Sequence, residues 1–329
     1  MITSRRRPSR LVFRPEIKPL LLAAASVLVL CQNWSVFLDP DNLASLQSAI
    51  APAAIVAVGL TILLVAGSFD LSIGAIAGLA GVVLALALSS GAPLPVAVAA
   101  ALAAGAAVGV LNGTLVTVIG INPLIATLAT TYIVRGIIET TISGLGVGGF
   151  TELGDGLAAL GSNTVLGLYP MTWTAIVLTV GATVLLSGSR IGRRLYYAGG
   201  NPEAASMLGL SVRRIRFAAF VAMGVVAALA GVFMTARVGM ANRYLGIGLE
   251  MQTIIACLLG GASIAGGRGS VPGSILGVIF VALVNNAFNL FEVRAEWQNV
   301  AIGGVLVAAV VMDAYVNLLR RRSAATVAA

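Results

Sequence analysis

The sequence has no His, a single Lys (Lys18), only two Cys and only 12 acidic residues in 329. Without His there is no imidazole proton relay and no His-ligated metal site. Cys31 and Cys257 both lie in apolar runs, which argues against a disulfide framework and makes each a small packing residue. A phosphate-binding GxxxxGK[ST] loop needs Lys after Gly, and Lys18 follows Ile17, so the chain carries no ATP-hydrolysing site of that type. Charge is scarce as well: 10% of residues are charged, against about 25% in soluble domains. With 59% hydrophobic residues and a mean hydropathy of +1.02, there is too little polar surface to cover a water-soluble fold, and disorder is excluded for the same reason. The 39 Gly show no three-residue period, so the chain is not collagen-like. What remains is a polytopic helical membrane protein.

A helix needs about 20 mainly apolar residues to cross a hydrocarbon core of about 30 Å. Residues 19–38 form one charge-free run and 42–69 a second. Residues 71–134 contain no Asp, Glu, Lys or Arg and hold three helices, divided at Ser89-Ser90-Gly91-Ala92-Pro93 and at Gly120-Ile121-Asn122-Pro123. One span lies in 156–189 after a Gly-rich loop, one in 217–236, and the last three in 251–267, 269–291 and 297–312. The short 251–267 run is either a full span or a re-entrant segment. The expected fold class is all-α: a polytopic inner-membrane helical bundle of about ten transmembrane helices over residues 19–318, with tails at 1–18 and 319–329.

Arg5, Arg6, Arg7, Arg10, Arg14 and Lys18 precede the first span. Arg190, Arg193, Arg194, Arg213, Arg214 and Arg216 lie between the sixth and seventh, and Arg320, Arg321 and Arg322 follow the last. Cytoplasmic loops carry such an excess. Ten spans place all three clusters and Arg268 on one side, so the N- and C-termini are expected to be cytoplasmic. Asp39, Asp41, Glu152, Asp155, Glu250, Glu292 and Glu296 collect opposite. The net charge of +8 therefore faces the lipid bilayer surface and not nucleic acid. The basic start before an apolar stretch invites a signal-peptide reading. No A-x-A site with a polar mature start follows, so an uncleaved first span is expected.

Small residues recur at helix spacing: Gly74 and Gly78, Gly105, Gly109 and Gly113, Gly273 and Gly277. In lipid such stripes allow close backbone approach. Ala66–Gly78 also resembles Ala265–Gly277 in the frame A-G, six residues, Gly, a small residue, Ile, one residue, Gly. Transporters often contain such repeats.

The polar stretch 188–216 reads GSRIGRRLYYAGGNPEAASMLGLSVRRIR. Asn201 suits an N-cap, Pro202 the first helical position, Glu203 the positive helix end, and Gly209 a stop. The spacing predicts a helix of about two turns at the membrane face, presenting Ala204, Ala205 and Ser206 between flanking basic residues. It is either a knob for a cleft on another protein or a linker helix held by anionic headgroups.

Here the chain resembles a known family. Glu203-Ala204-Ala205 followed by Gly209, in the frame Gly199-Gly200-Asn201-Pro202-Glu203, resembles the coupling loop of ABC importer permeases, most closely the ribose/xylose/arabinose branch. Ala66–Gly74 is similar to that branch's T-G-G-I-D-L-S-V-G, with Ser68-Phe69 in place of Gly-Ile before Asp70. Asn112-Gly113, Asn122–Thr130 with Arg135-Gly136, and Gly260–Ser270 around Arg268 match further segments, so the likeness spans roughly residues 20–318. The resemblance implies a non-enzymatic, multi-pass subunit of the bacterial inner membrane that pairs with a second permease, identical or paralogous. It implies two cytosolic ATP-binding subunits, which would hold ATP and Mg so that this chain binds no cofactor, and a periplasmic substrate-binding protein. The implied cargo is a pentose or related monosaccharide; a furanosyl autoinducer, a polyol or a nucleoside would use the same machinery. Nothing marks a metal site.

Charges near the spans are functional candidates by default. Asp70, beside Ser72 at a predicted cytoplasmic turn, caps the third span or serves a gate. Arg135 and Glu139 are four apart on one helix face and are expected to pair. Neutral polar groups suit a sugar that must bind weakly and pass. Asn112, Asn122, Thr127, Thr130, Asn285, Asn286, Asn289 and the stacking candidate Phe288 are therefore expected either along a pathway or as helix–helix glue. An ion-coupled secondary transporter, the competing reading, would need carboxylates embedded in spans, and Glu139 alone fits that position.

Overall fold

A computed structural model of the chain describes residues 24, 27, 34–144, 149–150, 154–294, 297–298, 300, 303–304, 307 and 311. Both tails and most of the expected first and last spans, with Cys31, lie outside the described residues. The elements are α1 Trp34–Phe37, α2 Pro40–Val65, α3 Ile73–Ser89, α4 Leu94–Thr114 with a π turn Leu115–Ile119, and α5 Pro123–Ser143. After β1 Gly149–Phe150 come α6 Asp155–Ser162, α7 Pro170–Gly188, α8 Arg190–Gly200, α9 Pro202–Met207 and α10 Val212–Val238. β2 Ala241–Asn242, α11 Leu249–Leu259 and α12 Val271–Leu290 complete the series. Among the described residues five helices are long and apolar enough to cross a membrane: α2, α4 with its π turn, α7, α10 and α12. The fold is a helical membrane bundle, and the antiparallel β1–β2 pair, Gly149 opposite Asn242, is a small addition.

Local chemistry sets the helix boundaries. Proline occupies the first turn of α2, α4, α5, α7, α9 and α12, where its missing N–H costs nothing. Asp39, Asn122 and Ser270 cap three of these by accepting from Asp41 N, Leu124 N and Gly273 N. The breaks expected at 89–93 and 120–123 are both present. The 156–189 run holds one span, α7, as expected; the short α6 precedes it as a separate helix, because the chain turns through Leu166 and Gly167 at positive φ before Pro170 starts a new helix. The 251–267 run gives only the 11-residue α11 followed by turns.

Helix α2 is the axis of the bundle, with nearly every residue from Ala51 to Val65 buried. It is tied laterally by Thr61 Oγ1, which donates to Ser274 Oγ of α12 at 2.7 Å and lies 3.7 Å from Cys257 Sγ of α11. Cys257 is thus a buried packing residue, as expected. Gly105, Gly109 and Gly113 form one face of α4 against α10: a methyl added at Gly109 would lie 2.6 Å from Phe220 O, and one at Gly113 would lie 2.9 Å from the Phe217 ring. Close backbone approach is what holds such helices together where lipid supplies no hydrophobic drive. By contrast α7 leaves Val177, Val180 and Val184 exposed, as a lipid-contacting helix should.

Two segments inside the bundle are not helical. Residues 66–72 run from α2 to α3, and 239–248 run from α10 to α11 with Gly239, Gly246 and Gly248 at positive φ. Irregular backbone at membrane depth is tolerated only where protein buries it or where it lines a wet cavity.

Candidate functional site

The basic loop folds into α8 and α9. Ser189 Oγ accepts from Gly192 N at 3.0 Å to start α8, and Asn201 Oδ1 accepts from Ala204 N at 3.0 Å to start α9. Leu210 N donates back to Ala205 O at 3.1 Å and Gly209 takes φ +78°, which ends α9 one turn on. Glu203, Ala204 and Ser206 are exposed. Ala205 is not: it is 2% exposed and packs inward, so the expected three-residue knob is presented by its neighbours. Met207 and Leu208, at 88% and 77% exposure, complete the outer surface. Sequence reading passed over them, although two large apolar side chains in an otherwise polar loop were the available signal.

Gly199 and Gly200 belong to a different structure from the knob. They end α8 against the 66–72 and 260–270 turns. A methyl on Gly199 would meet Val65 O, and would lie 2.7 Å from Gly267 N and 2.8 Å from Gly67 N. Gly267 N donates to Val65 O at 3.0 Å, Tyr196 Oη to Gly269 O at 2.7 Å, and Arg216 Nε to Ala66 O at 2.9 Å. Arg268 sits within this joint, and its carbonyl accepts from Ser263 N. Movement of α8–α9 would thus reach α2 and the start of α12 through backbone contacts.

Above the joint lies a polar interior. Asp70 is fully buried; Oδ1 accepts from Ser72 N at 2.7 Å and Ser72 Oγ at 2.6 Å, and Oδ2 accepts from Asn112 Nδ2 at 3.1 Å. Asp70 is therefore not the cap of α3, whose N-cap is Ser72. It closes a side-chain turn two residues on and ties α4 to it. Thr127 Oγ1 accepts from Leu71 N at 3.1 Å, and Thr131 Oγ1 lies 3.2 Å from Leu71 O.

Arg135 and Glu139 do not pair. Arg135 Nη1 donates to Leu245 O at 2.9 Å and lies 3.4 Å from Arg243 O, while Glu139 pairs with Arg243 at 2.8 Å. Thr127, Thr131, Arg135 and Glu139 thus form a period-four stripe on α5 that holds both unwound segments. Their spacing was visible, but nothing local in the sequence marks the 239–248 carbonyls as partners.

The other expected pathway residues are dispersed. Asn112, Thr127 and Thr130 are at most 1% exposed. Asn122 is an exposed cap. Asn286 exchanges hydrogen bonds with Asn42, the shorter at 2.6 Å, and Asn289 accepts from Gln298 Nε2 at 3.1 Å. Phe288 is half-buried beside them, and Asn285 Oδ1 is shielded without a partner among the described residues. Asn112 and Asn286 thus tie one element to another, while Asn122 and Thr130 bond within α5.

Comparison with known proteins fits this arrangement. Residues 42–310 match the family described as branched-chain amino acid transport system / permease component. The chain belongs to this permease family. It is 34% identical to the autoinducer 2 import system permease protein LsrC of Photorhabdus luminescens over 79% of the chain and 77% of that protein. It is 31% identical to the ribose import permease protein RbsC of Haemophilus influenzae over 85% of the chain and 87% of that protein. The LsrC of Escherichia coli is 33% identical over 84% of the chain and 80% of its own length. No solved structure matches the chain. A member of this family is an integral membrane permease, a subunit of a transport system.

Proposed function

We propose that this chain is the membrane-spanning permease of an ABC importer in a bacterial inner membrane, with ten spans, both termini cytoplasmic, and residues 188–216 docking onto the ATPases. Two cytosolic ATP-binding subunits drive it, a second permease copy or paralogue completes the pathway, and a periplasmic binding protein delivers cargo. The observation that carries the reading is α9, a capped six-residue knob with Glu203, Met207 and Leu208 outward, rooted through Gly199 in the end of α2 and the turn before α12. ATP-driven closure of the engine pushes α9, and the backbone joint passes the displacement to the bundle.

The cargo is a pentose or related monosaccharide, the chemistry named by the ribose import relative. A furanosyl autoinducer is the second reading, favoured by the autoinducer 2 import relatives. Ligand binding by the co-encoded binding protein decides between them. Glu203→Arg in the reconstituted complex tests the docking role: uptake and cargo-stimulated ATP hydrolysis are expected to fall by about tenfold or more while the fold is unchanged, as reversing one charge of a docked pair costs a few kcal/mol. Undiminished coupling in that variant would remove α9 from the drive.

A further inference from the structure

The helices on either side of the 239–248 segment bring unsatisfied polar groups to it, Glu250 from the first turn of α11 and Arg135 from α5. Glu250 Oε2 is shielded from solvent and has no hydrogen-bond partner among the described residues. It lies against Gly74, where even a methyl would collide with it. Arg135 spends Nη1 on the carbonyls of Leu245 and Arg243, and among the described residues its Nε and Nη2 donate to nothing. Among the described residues Arg135 and Glu250 form no ion pair with each other. At about 1.5 Å per residue, Arg135 lies about 18 Å along α5 from Pro123, just past the charge-free run 71–134.

Two tyrosines flank this point. Tyr132 precedes Arg135 by three residues, one turn away on the same side of α5, and is 72% exposed. Tyr244 sits between the two residues whose carbonyls Arg135 binds and is 71% exposed. Hydrocarbon lipid is a poor neighbour for a guanidinium with free donors and for unwound backbone; a water-filled passage is a suitable one. Aromatic side chains one turn from Arg135 and between its two carbonyl partners, with a carboxylate, suit a polyhydroxylated ring: aromatic faces can cover its C–H surface while charged groups take its hydroxyls.

We propose that Arg135, Glu250, Tyr132 and Tyr244 form a contact station on the translocation path for a neutral, pentose-sized polyol or sugar, in place of Asn112, Thr127 and Thr130, which the helices bury. The proposal rests on the importer reading above and deepens it.

The test uses the full complex of permease, ATPases and binding protein in proteoliposomes. In the first arm, Tyr132→Cys, Tyr244→Cys and the lipid-face control Val177→Cys are treated with a charged thiol reagent. The two tyrosine positions are expected to react and Val177→Cys to stay silent. Reaction of the tyrosine positions with an uncharged, lipid-soluble reagent alone would overturn the station.

In the second arm, uptake of radiolabelled ribose is measured for wild type, Glu250→Gln and Tyr244→Ala. Each variant is expected to lose about tenfold in uptake, the size of a hydrogen bond to a charged group for Glu250→Gln and of an aromatic contact for Tyr244→Ala, while cargo-stimulated ATP hydrolysis stays within about twofold of wild type. Unchanged uptake in both variants, or no ribose uptake by wild type, would overturn the station. Stimulated ATP hydrolysis by wild type reports separately on the importer reading, so the two failures are distinguishable. Detergent gel filtration of each complex identifies a variant that fails to assemble; the thiol arm then decides alone.

Discussion

Gly74 and Gly78 on α3 and Gly273 and Gly277 on α12 occupy matching positions of the Ala66–Gly78 and Ala265–Gly277 frames, yet they receive different neighbours. A methyl on Gly273 or Gly277 would meet the backbone of the regular helix α11 and its C-cap, at Ala256 O and Gly260 O. One on Gly74 would meet Gly246 O and Glu250 Oε2, and one on Gly78 would lie 2.8 Å from Leu245 O, all from the segment after α10 or the very start of α11. The same small-residue frame thus seats a stable helix in one half of the molecule and an unwound chain in the other. The frame specifies closeness of approach and leaves the partner's conformation to the rest of the fold.

The largest expected effect separates these halves directly. Gly277→Ala forces two regular helices apart, because backbone lies on both sides of the contact, and is expected to cost about 3 kcal/mol or prevent assembly. Gly74→Ala presses on a segment whose glycines can shift and on a flexible Glu side chain, and is expected to cost about half as much. It should nonetheless slow uptake, because it displaces Glu250. Thermal unfolding of the two variants in detergent, with yield of assembled complex, checks the order; equal losses would mean that the 239–248 segment is as rigid as α11.

The turns at the base of the two frames differ too. The first is closed by buried Asp70, and the second by the Ser270 cap and Tyr196. Asp70→Ala would take the acceptor from Ser72 N and the Ser72 hydroxyl in a buried site, leaving Asn112 Nδ2 only Ser72 Oγ, and is expected to cost about 2 kcal/mol. Asp70→Asn keeps the acceptor for Ser72. Asn112 can then turn its partnerless Oδ1 toward the new amide, so a loss of about 1 kcal/mol or less is expected. Chemical denaturation of both variants measures the difference. If Asn costs as much as Ala, the negative charge itself is needed, and the turn is an electrostatic device and not a hydrogen-bonded one.

Which parts of this were legible follows from the range of the interactions. Gly91 and Gly120 end helices, and Pro95 and Pro123 sit in the first turns of the helices that follow, by chemistry confined to a few residues. The breaks in the 71–134 run were therefore readable, although the helix before β1 runs past Arg135 to Ser143. Asn201, Pro202 and Gly209 act over the same short range, and α9 begins and ends where they place it. The burial of Gly199 depends on Val65, Gly67 and Gly267, which are distant in sequence, and the inward turn of Ala205 on how α9 packs against α8 and α10. Arg135 and Glu139 looked like partners because four residues is close to the helical repeat, but the 241–245 segment offers each a different group from outside α5. Three glycines within 239–248 were the one local sign that this stretch does not continue a helix.

The smallest effect concerns how wet the unwound half is. Arg243 and Glu139 are joined at 2.8 Å with side chains 31% and 57% exposed. A double-mutant cycle on Arg243→Ala and Glu139→Ala is expected to give about 0.5 kcal/mol of coupling, the usual size for a solvated pair. The cycle is clean because Arg135 binds the backbone carbonyl of Arg243, which neither substitution removes. Coupling several times larger, read from unfolding of the four proteins, would place this pair in a dry, low-dielectric setting. The outer face of α5 would then border lipid or protein instead of water, and the contrast between a helix-packed half and a passage-lining half would lose its physical basis.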